Sequence, residues 1–178
     1  MSKNIFILSG SPRRGGNSDL LCDEFMRGAL EAGNSVEKVF LRDKTVGFCT
    51  ACYACRSSGT CVQQDDMAEL LRKMHWADAI VMASPVYFYS IDGQMKTFID
   101  RCLAQWTKIS NKEFYFIMTA AENSGTVMDC TLECFRGFTA CLPGGVDKGV
   151  IYGKGAYEKG EIKATPAFEK AYEMGKNA

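Results

Sequence analysis

"NIFILSGSPRRGGNS", residues 4–18, passes from a six-residue apolar run through a glycine- and serine-rich turn into a helix start. The run Asn4–Ser9 reads as a buried first strand. Asn17 then caps a helix that carries Leu21, Phe25 and Ala29 on one face and stops near Gly33. A strand feeding a helix through such a turn is the opening of an α/β domain. The turn is itself a candidate site. Gly10, Gly15 and Gly16 let the backbone approach a ligand, and the helix start offers unpaired amides and a positive dipole end. Ser11, Asn17 and Ser18 add polar donors, while Arg13 and Arg14 add charge. Together they suit a phosphate monoester. The turn fits neither G-x-x-x-x-G-K-[ST] nor G-x-G-x-x-G, so the usual ATP and dinucleotide fingerprints are absent.

The same alternation continues downstream. Strand patterns occupy Ser35–Leu41, Asp78–Ser84, Glu113–Ala120 and Gly145–Gly153, and helical patterns lie between them. Asp66 and Glu69 have capping-box spacing ahead of Met67, Leu70, Leu71 and Met74. Asp92–Leu103 carries Met95, Phe98, Ile99, Cys102 and Leu103 as a helical stripe. A further helix spans about Thr126–Thr139, and the last begins with Thr165 as cap and Pro166 in its first turn. Five strands separated by helices make a doubly wound parallel sheet, whose ligands sit beyond the carboxyl ends of the strands. The loops after the first, third and fourth strands therefore matter most. Pro85, Val86, Tyr87 and Phe88 follow the third strand. Beside a phosphate cradle they can wall a flat heteroaromatic ring, although aromatics at a strand end more often serve a core or an interface.

The chain has 178 residues, 47% of them hydrophobic, with 21 Lys plus Arg balancing 21 Asp plus Glu. That fits one domain with a sizeable core and gives no electrostatic pointer to nucleic acid. The apolar run in "MSKNIFILSGSP" is too short for a secretory signal, and no later run approaches a membrane span. A cytoplasmic protein follows, in which thiols stay reduced.

Four of the nine cysteines crowd into "CTACYACRSSGTC" (Cys49–Cys61), inside a patternless stretch from Arg42 to Asp66 that is long for a mere connection. The spacing is C-x2-C-x2-C-x5-C. Three thiols so close can fold around one corner of an iron–sulfur cubane, and Gly59 lets Cys61 return as the fourth ligand. Zinc is the nearest rival, but structural zinc sites more often pair two knuckles across a longer gap. A disulfide between such near neighbours would strain a short ring. Elsewhere, Cys130 and Cys134 read as buried thiols and His75 as a helix-end residue. Asp65 and Asp66 are explained by a helix start, and no hydrolytic triad is evident.

"SGSPRRGGNS", "CTACYACRSSGTCVQQDDM" and "SPVYFYSIDGQMKTFIDR", in this order and at these separations, resemble the NADPH-dependent FMN reductase superfamily, and within it the iron–sulfur flavoproteins. The resemblance covers nearly the whole chain. It implies a flavodoxin-like sandwich over residues 1–178, strand order 2-1-3-4-5, with the cysteine-rich loop as an insertion at about 42–66. It implies FMN, with Ser9, Ser11, Arg13, Asn17 and Ser18 about the phosphate, and Pro85, Val86, Tyr87 and Phe88 along the isoalloxazine. Thr119, Ala120 and Ala121 would approach the ring from "TAAENSG" (119–125), where many relatives have a glycine-rich stretch. It implies a [4Fe–4S] cluster on Cys49, Cys52, Cys55 and Cys61, and a homodimer or homotetramer. NAD(P)H or ferredoxin would donate electrons, and a small molecule or protein would accept them. No dedicated acid or base residue is required, so no catalytic side chain is assigned. A non-enzymatic flavodoxin-like electron carrier, a reductase whose loop binds no cluster, and a zinc-stabilised interaction module are the alternatives.

Overall fold

Strand β1 (Asn4–Ser9) is buried along Ile5–Ser9. The computed structural model describes residues 2–124 and 126–178; Met1, and Gly125 at the end of the "TAAENSG" stretch, lie outside the described residues. In chain order the other elements are α1 (Asn17–Glu31), β2 (Ser35–Phe40), α2 (Cys55–Ser58), α3 (Met67–Trp76), β3 (Ala79–Pro85), α4 (Gly93–Arg101), β4 (Glu113–Thr119), α5 (Asp129–Ala140), β5 (Val146–Gly153) and α6 (Pro166–Lys176). The five strands form one parallel sheet in the order β2-β1-β3-β4-β5. This is the flavodoxin-like doubly wound arrangement.

Alternation along the strands divides the core into two layers. Phe6, Leu8, Ile80, Met82, Phe114 and Phe116 face one way, against α3, α4 and α5. Ile5, Ile7, Val81, Ala83, Tyr115 and Ile117 face the other way, against α1 and α6. Phe116 stacks on Phe135 of α5 with ring centroids 5.2 Å apart. On the opposite face Phe25 of α1 meets Tyr115 edge-on at 5.3 Å. Helices α1 and α6 approach so closely that a Cβ on Gly28 would stand 2.1 Å from the Tyr172 carbonyl oxygen. Only glycine fits there.

Several local expectations are corrected. Leu41 leaves β2 and opens a 3-10 turn, Leu41–Asp43. The helix read as Asp92–Leu103 is α4, with Asp92 as its cap; Cys102–Ala104 continue as a 3-10 turn. Gly16, not Asn17, is the N-cap of α1. The Asp66–Glu69 capping box does not form: Asp66 instead pairs with the Thr45 amide across the cysteine loop, and Glu69 pairs with Lys44. Thr165 caps α6 by position but not by a side-chain bond, because its hydroxyl donates to the Ile162 carbonyl. Cys130 is exposed and Cys134 half-buried, since α5 turns that edge away from the sheet. Among the described residues no helix is long and apolar enough to cross a membrane.

Candidate functional site

The carboxyl ends of β1, β3 and β4 open onto one shared cavity. Its first wall is the β1–α1 turn, represented by Ser11, Arg13, Gly16, Asn17 and Ser18. The turn is tightly folded: the Ser11 hydroxyl donates to the Arg13 carbonyl oxygen, and the Gly16 amide donates to that same oxygen at 3.0 Å. A Cβ on Gly16 would lie 2.9 Å from it. No side chain caps α1, which leaves its first turn as a donor end with a positive dipole. Beneath the turn, Asp19 accepts from the Gly15 amide at 2.6 Å and pairs with Lys38 of β2.

Pro85, Val86 and Tyr87 form the second wall, and Thr119, Ala120 and Ala121 the third. The Val86 amide donates to the Thr119 carbonyl at 2.8 Å, so the two walls brace each other. The Ser18 and Thr119 hydroxyls meet at 2.6 Å in the buried floor, linking the turn to the third wall. Behind them Asp92 caps α4 by accepting from the Met95 amide. Its other oxygen accepts from Ser84 at 2.7 Å and lies against Gly10. Burial pushes the Asp92 carboxyl above the usual carboxylate range.

Ten of the expected cofactor residues thus share one cavity, and two do not. Ser9 is fully buried below the floor, its hydroxyl without a partner. Phe88 is fully exposed. The chain reverses between Tyr87 and Ser90 through paired backbone bonds of 3.0 Å, with Phe88 and Tyr89 at φ 49° and 62°. Such a two-residue turn usually recruits Asn-Gly, so two aromatics there gave no turn signal. Asn17 and Arg14 are also differently engaged. Both ends of the Asn17 carboxamide bind the segment after β5, to the Ala156 and Glu158 carbonyls and the Gly160 amide. Arg14 pairs with Asp43 and lies over Phe40, whereas Arg13 enters no ion pair among the described residues.

Ala156 and Tyr157 supply a fourth wall that sequence reasoning missed. The rule that ligands gather beyond the carboxyl ends of strands applies equally to β5, and "GKGAY" directly after that strand was the available signal.

The second concavity is a shallow one lined by Cys49, Cys52, Cys55 and Cys61 together with Asp100, Arg101, Leu103 and Ala104. Ala51 and Tyr53 both take left-handed conformations, φ 52° and 57°, winding the chain tightly between thiols. Gly59 ends α2 at φ 68° and turns the chain back toward Cys61. The Ala54 amide and the Thr50 hydroxyl hold the Cys52 thiol below its ordinary pKa, which favours the ligating thiolate. None of the nine cysteines is in a disulfide. Among the described residues no three His, Cys, Asp or Glu side chains already stand together as a metal site, so the four thiols share a concavity without converging on a point. The Asp65 carboxylate serves the helix start as read, accepting from the Met67 amide that opens α3, and also pairs with buried Arg101. Burial would raise its pKa, but Arg101 and the Gly47 and Met67 amides outweigh burial and hold it low. His75 bonds Gln105 at 2.6 Å, away from either concavity's centre.

A family model described as NADPH-dependent FMN reductase matches residues 3–133. An iron–sulfur flavoprotein of Archaeoglobus fulgidus is 46% identical over 94 residues, 53% of this chain and 43% of the relative. One from Methanocaldococcus jannaschii is 42% identical over 94 residues, 53% and 49% of the two chains. The matches thus span somewhat under half the length of these curated relatives. Among solved structures, the NAD(P)H:quinone oxidoreductase of Methanothermobacter marburgensis superposes with TM-score 0.81 at 18% identity, over 99% of this chain and 96% of that one. At that identity the likeness speaks to fold.

Proposed function

The chain belongs to the NADPH-dependent FMN reductase family, and from that premise we propose that it is an FMN-dependent oxidoreductase whose cysteine loop carries a [4Fe–4S] cluster. The observation that carries the flavin reading is the meeting of the Ser11–Ser18 turn, Pro85–Tyr87 and Thr119–Ala121 around one cavity. The residues fit FMN. An uncapped helix start, the Ser11 and Ser18 hydroxyls and the unpaired Arg13 suit a phosphate, and the apolar Val86 and Tyr87 wall suits a flat ring. Asn17 acts here by tethering the Ala156–Tyr157 wall. Residues 1–178 form a single flavin domain with the cysteine loop, 42–66, as its insertion.

The donor set of the second concavity fits an iron–sulfur cluster: four thiols on a tightly wound tip, Cys49 and Cys52 exposed and Cys55 and Cys61 half-buried. Binding requires Cys49, Cys52, Cys55 and Cys61 to draw together from the positions described. FMN supplies hydride and single-electron transfer when bound, and a cluster supplies single-electron transfer. The chain's own contribution is to hold both groups, shape access and exclude water; no side chain need move a proton. NAD(P)H or ferredoxin is the electron donor, and a small molecule or protein is the acceptor. The fully exposed Phe88, with Tyr87 and Tyr89 beside it in a left-handed turn, supports a homodimer or homotetramer that covers it. A reducing cytoplasm would keep the four thiols free to hold iron, and we place the protein there.

The test is protein prepared without oxygen, examined for flavin absorption, iron and acid-labile sulfide per chain. Zinc or a disulfide at Cys49–Cys61, with iron and sulfide near zero, refutes the cluster and leaves the flavin reading standing. Rapid bleaching by NADH or NADPH alone marks the enzyme. Reduction only by a protein donor marks an electron carrier.

A further inference from the structure

Both ends of the cysteine loop meet on one buried cation. Arg101, the last residue of α4, has a side chain 1% exposed. Its Nη1 donates to the Gly47 carbonyl at 2.7 Å, to Gln63 Oε1 at 3.0 Å and to Asp65 Oδ2 at 2.7 Å; Nη2 donates to Asp65 Oδ1 at 3.0 Å. Asp65 accepts in turn from the Gly47 amide at 3.0 Å and from the Met67 amide at 3.1 Å. Gln63 closes a further rung by donating to the Phe48 carbonyl at 2.9 Å. One guanidinium therefore holds the loop's entry at Gly47 and its exit at Gln63 and Asp65. A Cβ at Gly47 would lie 2.6 Å from Gln63 Oε1, so a side chain there would push the carboxamide away from its place on Arg101.

Replacing a buried ion pair with apolar residues often costs nothing in stability, so the pair is weak evidence for a purely stabilising role. Its placement points elsewhere. Arg101 also lines the concavity shared by all four thiols and is the one cation among its described residues; the one carboxylate there, Asp100, is paired with Lys96. Its Nε is buried without a hydrogen-bond partner.

We propose that Arg101 is the positioning residue of the cysteine site, clamping the neck of the loop and turning the positive end of its ion pair with Asp65 toward the thiolates. This rests on the cluster reading above. With the neck held, only the tip Cys49–Cys61 has to rearrange to gather four thiols. Reduction adds negative charge to a thiolate-bound cluster, and cluster potential responds to nearby charge and hydrogen bonds. Arg101 lines the concavity's wall and its counterion Asp65 does not, so the pair turns its positive end toward the thiolates and raises the potential, and removing both partners removes that bias. Lysine keeps the charge but not the planar fork that spans Gly47, Gln63 and Asp65, so Arg101→Lys separates clamp from charge.

The experiment uses the full-length protein with Arg101→Lys and with the double change Arg101→Met, Asp65→Asn, which leaves no unpaired carboxylate behind. FMN content reports that each variant is folded. Amide exchange across residues 47–65 before iron loading should rise on the order of tenfold in both variants. After anaerobic reconstitution, both should hold less iron than wild type. The iron that the double variant retains should titrate at a more negative potential, while the lysine variant stays near wild type. Unchanged exchange in folded variants overturns the clamp, and equal potentials in all three proteins overturn the charge effect. If wild type itself takes up no iron, the cluster reading and the charge effect both fall, and the exchange measurement decides the clamp by itself.

Discussion

Removing the Ser18 hydroxyl should separate FMN from riboflavin, which lacks the phosphate. Ser18 is buried at the start of α1, and its Oγ lies 2.6 Å from Thr119 Oγ1. In the proposed complex Thr119 donates to Ser18, and Ser18 donates onward to the phosphate. Hydrogen bonds to a charged group are worth about 1.5–3 kcal/mol. Ser18→Ala should therefore weaken FMN by roughly 10- to 150-fold, at about 1.4 kcal/mol per factor of ten. Thr119→Val leaves the Ser18 donor in place but unpinned, and should cost only about 1 kcal/mol, the worth of a neutral hydrogen bond. Arg13→Gln removes an exposed charge and should cost no more than Thr119→Val, with the loss shrinking as salt rises. Riboflavin affinity should change little in all three. Without ligand, Ser18→Ala strands the Thr119 hydroxyl at a cost of about 1–3 kcal/mol. At roughly 2–4 °C per kcal/mol for a chain of this size, the free protein should melt a few degrees lower. The assay is quenching of flavin fluorescence by apoprotein, titrated in parallel with both flavins. Equal losses for FMN and riboflavin would remove the phosphate from this turn.

Serine at Cys52 or Cys55 should abolish reconstituted iron and its visible band while FMN stays bound; serine at Cys130 or Cys134 should leave iron unchanged. Iron and sulfide analysis beside flavin absorbance decides between the two outcomes. Asp92→Asn should raise the melting temperature at neutral pH. Burial raises the folded pKa of Asp92, so native stability falls as pH climbs from the ordinary aspartate value, about 3.9, toward the raised one. The gain should vanish below that window, and a variant that is less stable at pH 7 would refute the reasoning. Gly28→Ala should cost about 3 kcal/mol or more by forcing a methyl into the Tyr172 carbonyl, lowering the melting temperature by roughly 6–12 °C in calorimetry. Sedimentation at micromolar concentration should show a dimer or tetramer; a monomer with FMN still bound would contradict the proposed cover over Tyr87–Tyr89.

The sheet was legible because each buried strand is a short apolar run between turn signals, and the helices show apolar faces at helical spacing. The cavity was legible for a related reason: in a parallel sheet all the carboxyl-end loops share one edge, so locating the strands locates the site. What escaped depended on partners distant in sequence. Asn17 looks like a helix cap because local rules assign it to its own helix, yet its carboxamide binds residues more than 130 positions away. Asp65 and Asp66 do stand at a helix start, but local rules give no sign of their further partners, Arg101 for one and the Thr45 amide for the other. Cys130 and Cys134 read as buried thiols because no further ligand lay near them, but a half-covered helix leaves Cys130 in solvent and Cys134 at the edge of the core. Phe88 shows that a strand-end aromatic can be carried outward by a turn its residue type does not announce.

Helix α4 bears on both sites at once. At its start Asp92 braces the Gly10 turn below the flavin cavity, and at its end Arg101 holds the neck of the cysteine loop. Nine residues separate the braces, roughly 13 Å at about 1.5 Å of rise each. Between them lies a further concavity walled by Pro12, Phe48, Tyr87, Asp92 and Thr97, so Tyr87 is common to it and to the flavin cavity, and Phe48 belongs to the loop's stem. A rigid helix fixed at both ends keeps the distance between the sites constant, while each site's ligand groups come from other elements: the β1–α1 turn for one and the loop tip for the other. Losing the thiols should therefore leave the flavin cavity intact. A change within α4 that tilts the helix should disturb both.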